Sequence, residues 1–453
     1  MIQDIFEKAV KSFTKKNFKD AEIFFNQILK KQPNHIDSIF YLSMVALKIK
    51  NFALAKELSQ KAIKIKPNYV MAYHNLGQAL YGLGESKKAI NFYNRAIEID
   101  QNFLASYNNL GNILKEIGEN KKAENCFLNV IRINPKLAVA YNNLGTLYQE
   151  MGKKEKAIDY FKKAIKINNS FLMAYYNLGK LYKELKNYNE SIKYFKISNT
   201  IRSRAELLES IYFGNNLQLY IKTLKELSKK DSLNLRIATI SAYVSEKENI
   251  KNIYSFCRKP LNYVFVKNLE SEIKFPEKFS LNLSKILKNQ DLTWQPASKS
   301  TKGGYHTHGN LFNQKDYEIL QLQKLINKQI EIFKKKYKSN KDFFITKWPK
   351  KYHIEAWHVK LMQKGFQKPH IHPAGWLSGC FYIKIPKSLK KDEGAIKFTL
   401  SGYDYPFDKN LPNYTHIPKV FDIALFPSSL FHETIPFASN DERHVIAFDI
   451  MPK

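Results

Sequence analysis

Tyr107-Asn108-Asn109-Leu110-Gly111 returns 34 residues later as Tyr141-Asn142-Asn143-Leu144-Gly145, and this recurrence decides the fold of the first half of the chain. Tyr73 and Tyr175, Leu76 and Leu178, Gly77 and Gly179 keep the same step on either side. So do the small residues Ala21, Ala55, Ala89, Ala123, Ala157 and Ser191. A fixed period of roughly 20–50 residues means that one supersecondary unit is stacked on itself. The unit here is a pair of helices: small residues let the two approach, and aromatic residues fill the space beside them. Pro33, Pro67 and Pro135 fall where the second helix of a pair must stop. No single pair buries its apolar face, so stacking supplies the core.

A step of 34 residues is that of tetratricopeptide repeats, and six are expected over residues 1–203. Asn75, Asn109, Asn143 and Asn177 share the step, on the first helix of each pair, which lines the concave surface of such a solenoid. A carboxamide offers both a donor and an acceptor to a peptide unit. The arrangement resembles the asparagine ladder that binds extended peptide backbone in the repeat region of O-GlcNAc transferases, which implies a protein or peptide partner. The plain alternative is that Asn before Leu-Gly is a habit of these repeats. Residues 204–256 leave the period but keep helical spacing over Glu206–Phe213, Leu217–Ser228 and Leu233–Val244. They are expected to form a helical cap or connector with a polar outer face.

Beyond residue 257 the texture changes. Nine of the eleven histidines lie past residue 300, and short alternating runs replace helical spacing. Strands are expected over Ile354–Met362, Leu377–Ile385, Ala395–Leu400, Phe421–Phe426, Leu430–Ile435 and His444–Ile450, with one helix over Lys315–Lys336. Many short strands with long connections suggest a mainly-β double-stranded β-helix, or jelly roll, over residues 257–453.

Pro369-His370-Ile371-His372-Pro373 carries two histidines that share one face if the segment is extended. His432, after Phe426-Pro427-Ser428-Ser429-Leu430-Phe431, completes a three-ligand cap. Arg443 follows eleven residues later and offers a fork that matches a carboxylate. A facial metal site usually has an Asp or Glu two residues after its first histidine; here that place is His372. Three outcomes follow: three neutral ligands, a two-histidine site with His370 and His432, or a different metal and reaction. Asp449 and Glu433 are not expected as substitutes. Glu433 faces away from His432 in a strand, and nothing in the spacing brings Asp449 near. Arg443 has a plain reading too, an ion pair with Asp441 or Glu442.

These residues, with Gly375-Trp376-Leu377-Ser378-Gly379-Cys380-Phe381-Tyr382, resemble a group of bacterial and phage iron(II)/2-oxoglutarate oxygenases, some of which carry tetratricopeptide repeats ahead of the catalytic domain. The resemblance spans roughly residues 255–453. It implies iron(II) held by His370, His372 and His432, and 2-oxoglutarate anchored by Arg443. Tyr382 is a candidate to add a hydroxyl at the same carboxylate, and Trp376 to wall the pocket. It also places His306 and His308, in the glycine-rich loop Gly303-Gly304-Tyr305-His306-Thr307-His308, on the substrate side rather than among the ligands. His353, His358, His416 and His444 read as isolated.

The formal net charge of +32 invites a nucleic-acid reading, but only seven of the 73 basic residues are arginine. Base-edge readout favours arginine forks and stacking platforms favour interleaved aromatics, and neither pattern is here. No specific nucleic acid is expected. No apolar run approaches the ~20 residues of a membrane span. Cys126, Cys257 and Cys380 are scattered without metal-type spacing, as suits a reducing cytoplasm. The function expected is an oxygenase that hydroxylates a protein or peptide delivered by the repeats. A non-catalytic interaction scaffold and a three-histidine metalloenzyme that needs no keto-acid are the alternatives.

Overall fold

The computed structural model describes residues 2–290, 292–295, 300–307, 309–387, 390–402, 405–406 and 408–453. It divides into two compact units, Met1–Asn187 and Tyr188–Lys453.

The first unit is helical throughout, from Ile2–Thr14 to Leu172–Glu184. The repeat logic is visible in Leu104–Glu116 and Asn120–Ile133. A Cβ on Gly111 would sit 2.6 Å from the Phe127 ring, and one on Gly145 2.6 Å from Phe161. The glycines are therefore needed for ring-to-backbone packing, and both rings are fully buried. Ala21, Ala55, Ala89, Ala123 and Ala157 are fully buried as well, so the small-residue register is the seam between helices. The turns keep the period in another way: Lys50, Gly84, Gly118, Gly152 and Lys186 all have positive φ. Glycine adopts that backbone without the strain that lysine bears.

The second unit begins with the helices Tyr188–Ser198, Ile201–Phe213, Leu217–Lys230 and Leu235–Lys247. The last differs from the polar-faced cap expected of it. Ten of its residues, from Leu235 to Ser245, are buried, and Ala242 packs in a cluster with Cys380, Tyr382, Phe398 and Phe426. Thr239 Oγ1 donates to the Ser429 carbonyl at 2.7 Å. This helix is part of the β-domain's core.

The strands are β1 (Phe265–Asn268), β2 (Leu292–Trp294), β3 (Thr301–Thr307), β4 (Tyr352–His370), β5 (Leu377–Lys384), β6 (Ile396–Thr399), β7 (Asn413–His416), β8 (Asp422–Pro427), β9 (Phe431–Thr434) and β10 (Arg443–Pro452). They form one curled antiparallel sheet in the order β1-β8-β5-β10-β4-β9-β6-β7, with β3 also on β4 and β2 on β3, a jelly-roll-like arrangement. The helix Tyr317–Tyr337 lies where the spacing predicts one, and a second, Pro276–Lys288, precedes it. The segment Gly303–Thr307 is strand, not loop: Gly304 lets β3 approach β4 so closely that a Cβ would meet the Lys360 carbonyl at 2.6 Å. His308 lies outside the described residues.

Candidate metal centre

β4 runs on past Met362 to His370, where it pairs with His432 of β9. Cross-strand partners bring two imidazoles together, and their ring centroids are 4.2 Å apart. His372 lies just beyond the end of β4, held by its backbone N–H on the Ser428 carbonyl at 2.9 Å. Its ring is 5.1 Å from that of His370 and 5.0 Å from that of His432. One nitrogen from each of the three lies within 4.8 Å of the other two, and among the described residues no other group of histidine, cysteine and carboxylate side chains comes together this way.

The hydrogen bonds decide which nitrogens face the shared space. His370 Nδ1 lies 2.7 Å from the Lys368 carbonyl and His432 Nδ1 3.2 Å from the Leu430 carbonyl. Carbonyls only accept, so both Nδ1 atoms carry the proton and both Nε2 atoms keep a lone pair. His372 Nδ1 lies 2.7 Å from Asp449 Oδ1, which fixes the same tautomer. Burial, with the neighbouring His372 adding to it, pushes His370 down to about 3. Burial above all, and then His370 and His372, hold His432 well below the usual histidine range. His370 and His432 are therefore poised in the neutral form that binds a cation. Three convergent Nε2 donors with their outer nitrogens tied down fit a transition metal.

Asp449 is not among the convergent donors, as expected, but it stands directly behind one of them. It lies on β10 opposite Ser378 of β5, 77 positions from the histidine it touches, and only strand register reveals the neighbourhood. Glu433 takes no part, as expected; it pairs with Lys397 at 3.8 Å. Trp376 is also not where the motif suggested. Its indole N–H donates to the Phe344 carbonyl at 2.9 Å and its ring packs on Phe256. The tryptophan beside the site is Trp357, 5.6 Å from His372.

Arg443, at the start of β10, is 2% exposed. Its Nε donates to the Gly394 carbonyl at 3.1 Å, and its guanidinium lies 5.0 Å over the Tyr382 ring. The ion pair anticipated as its plain role does not form: Glu442 engages Lys360, Lys384 and His444, and Asp441 accepts from the Lys387 backbone. Among the described residues no carboxylate pairs with Arg443. Tyr382 is fully buried, with Cys380 Sγ 3.4 Å from its hydroxyl. Strand alternation puts Arg443, Val445, Ala447 and Asp449 on one face of β10, so the guanidinium and the carboxylate behind His372 belong to the same side of the sheet.

The remaining histidines divide into two kinds. His353 and His416 make local contacts with Glu355 and Asp422. His306 is buried against Thr301. His358 and His444, expected as isolated, are joined: their rings lie 5.1 Å apart and a 3.2 Å hydrogen bond links them.

In the repeat unit, the asparagine series does something its period did not disclose. Asn109 Nδ2 reaches His74 at 3.5 Å, Asn143 Nδ2 donates to Asn108 at 3.4 Å, and Asn177 Nδ2 to Asn142 at 2.9 Å. Each bond joins first helices of consecutive repeats with an offset of 35 residues. Asn75 donates to Ser43 at 2.8 Å. Each NH₂ group thus places at least one of its two hydrogens on the solenoid itself. Asn75 and Asn109 also line a groove of about 750 Å³ with Phe40, Met44, Tyr81 and Phe103.

A family model described as "Putative 2OG-Fe(II) oxygenase" matches residues 355–449, a span that holds the three histidines, Tyr382 and Arg443 and ends on Asp449. The C-terminal domain carries that family's signature. Tetratricopeptide-repeat models match residues 36–69, 70–103, 92–125, 111–152, 138–171 and 174–198. Among solved structures, MamA is 28% identical over 36% of this chain and 94% of its own, with a TM-score of 0.33. A thermophilic tetratricopeptide-repeat protein of Thermus thermophilus is 19% identical over 40% and 98%, with a TM-score of 0.36. PilF of Pseudomonas aeruginosa is 20% identical over 46% and 97%, at 0.39. A search of curated proteins finds no match.

Proposed function

We propose that the C-terminal domain is an iron(II)- and 2-oxoglutarate-dependent oxygenase that hydroxylates a protein or peptide recruited by the repeats. The observation that carries this reading is Arg443: a buried guanidinium without a carboxylate partner among the described residues, on the strand that also reaches the three-histidine centre. A buried charge is costly unless paired, and the distal carboxylate of a keto-acid is the partner it lacks. Iron and 2-oxoglutarate, when bound, supply oxygen activation coupled to decarboxylation.

The chain's own part follows from the contacts. The Nε2 atoms of His370, His372 and His432 would hold the metal, with Nδ1–H bonds preventing the rings from turning. The Tyr382 ring under Arg443 keeps the fork in one plane. Phe398, Phe426 and Leu430, buried in the same cluster as Tyr382, exclude water from the space between. The groove beside Asn75 and Asn109 is the surface proposed for the protein or peptide, which would meet the carboxamide oxygens.

The absence of a carboxylate from the ligand group favours a second reading, a three-histidine metalloenzyme that needs no keto-acid. Anaerobic iron(II) reconstitution followed by 2-oxoglutarate titration separates the two. A visible charge-transfer band that saturates with the keto-acid supports the oxygenase. Iron uptake without the band supports the second reading, and no iron uptake leaves an interaction scaffold.

A further inference from the structure

Resting on the metal reading above, we propose that Asp449 is the carboxylate of this centre, a positioning residue that acts on the metal through His372. Three observations converge on it. Asp449 is 8% exposed, and among the described residues its one ion-pair partner is His372, at 2.7 Å. Among the described residues no lysine or arginine pairs with it, so the charge that balances it comes through the imidazole, and a cation on Nε2 is one that the other two histidines are placed to share.

The second observation is how firmly the carboxylate is held. Ser378 Oγ donates to Asp449 Oδ1 at 2.6 Å and lies 2.8 Å from Ser428 Oγ. Both serines are fully buried. The carbonyl of that same Ser428 receives the His372 backbone N–H, so one residue fixes the backbone of the ligand and the carboxylate behind its ring. Gly375 completes the enclosure. A Cβ there would lie 2.8 Å from Ser428 Oγ and 3.2 Å from Asp449 Cγ.

The third is charge. Two histidines and a carboxylate leave a divalent ion with one net positive charge, whereas three neutral imidazoles leave two. Adding Asp449 one shell out restores the first sum while keeping three nitrogen donors. A carboxylate behind a ligating histidine also raises the basicity of that ligand and fixes its orientation. The substitution of histidine for the usual acidic ligand at position 372 is thereby offset on β10.

The test uses the full chain and anaerobic iron(II), with affinity read by competition against a chelator. Asp449→Asn keeps the side-chain shape and should weaken iron(II) binding roughly 10–100-fold, and it should shift the charge-transfer band seen with 2-oxoglutarate. Metal-free thermal stability should hold. Unchanged affinity and an unchanged band in a variant that merely melts earlier would make Asp449 structural and overturn the proposal. Should Asp449→Asn not fold, Ser378→Ala, which leaves the carboxylate in place but loosens it, is expected to bind iron several-fold more weakly; no change would count against the idea equally. If the unaltered chain takes up no iron, the metal reading itself fails, which the first titration reveals before any variant is made.

Discussion

The repeat unit and the β-domain both bury polar side chains, and they dispose of them in opposite ways. In the repeats every periodic asparagine amide points at the first helix of the repeat before it, so Asn109, Asn143 and Asn177 close bonds within the solenoid. In the β-domain His370, His372 and His432 use one nitrogen each on the protein and leave the other facing a common space. Arg443 spends its Nε on the Gly394 carbonyl and pairs with no carboxylate among the described residues. Periodic polar residues here stitch the fold, whereas the polar groups that break the pattern keep hydrogen-bonding capacity to spare, which the proposed metal and keto-acid would use.

The sharpest test of that contrast is His432→Ala. It should abolish iron(II) binding in the reconstitution assay, since two of three donors at an open site cannot hold a labile ion. The fold should persist, because a buried histidine held well below its usual range contributes little charge to stability. A variant that retained iron at near-normal affinity would show that the nitrogens do not act together.

Next in size is Arg443→Ala. A charge-assisted bidentate pair contributes about 1.5–3 kcal/mol, so the 2-oxoglutarate dissociation constant, read from the charge-transfer band, should rise roughly 10–100-fold while iron binding is kept. Loss of thermal stability with an unchanged keto-acid titration would instead assign Arg443 to packing against Tyr382.

The repeats offer a pH test. Burial holds His74 down to about 4, whereas a histidine of the unfolded chain titrates near ~6.5. Between those values the unfolded state binds a proton that the folded state does not, so stability rises with pH across the window. The contribution is complete above ~6.5 and is lost as the pH falls toward about 4. At pH 5 the loss should be about 2 kcal/mol relative to pH 7. Denaturant midpoints for the unaltered chain and His74→Asn should therefore diverge with acid, the variant showing the flatter slope; parallel curves would place the acid sensitivity elsewhere.

The smallest effects belong to the asparagines. Removing Asn109, Asn143 or Asn177 singly should cost about 0.5–1.5 kcal/mol of stability, seen as a lower denaturant midpoint. A loss of partner binding beyond what the unfolded fraction explains would show that the carboxamide oxygens also serve a peptide. Stability unchanged in all three would break the contrast drawn above.

The legibility of the chain follows the same divide. Whatever repeats with a fixed step, or alternates along one strand, could be read directly: the Ala21–Ala157 seam, the glycines beneath Phe127 and Phe161, and the pairing of His370 with His372 as neighbours. Strands β4, β5, β6, β8, β9 and β10 were legible from apolar alternation. What escaped depended on register between distant strands. Asp449 meets His372 only because β10 lies beside β5, and Trp357 approaches the site only because β4 pairs with β10, where its partner Ala447 stands two residues before Asp449. β3 escaped for a local reason, since Gly303 and Gly304 read as a turn when their purpose is close backbone approach to β4. The amide direction of Asn109 escaped because a 34-residue step shows that a side chain recurs, not which neighbour it faces.

The buried helix Leu235–Lys247, with Thr239 bonded to the Ser429 carbonyl in the segment leading to His432, has a consequence for how this β-domain could be inherited or transplanted. A fragment starting at residue 257 would leave Ala242's neighbours Cys380, Tyr382 and Phe426 facing water and would free the very turn that presents His432. The portable piece is therefore the sheet together with the helices from Tyr188 onward. Gene fusions that swap repeat arrays in front of such a domain would have to cut upstream of those helices, so the exchangeable part is the regular array and the join travels with the sheet.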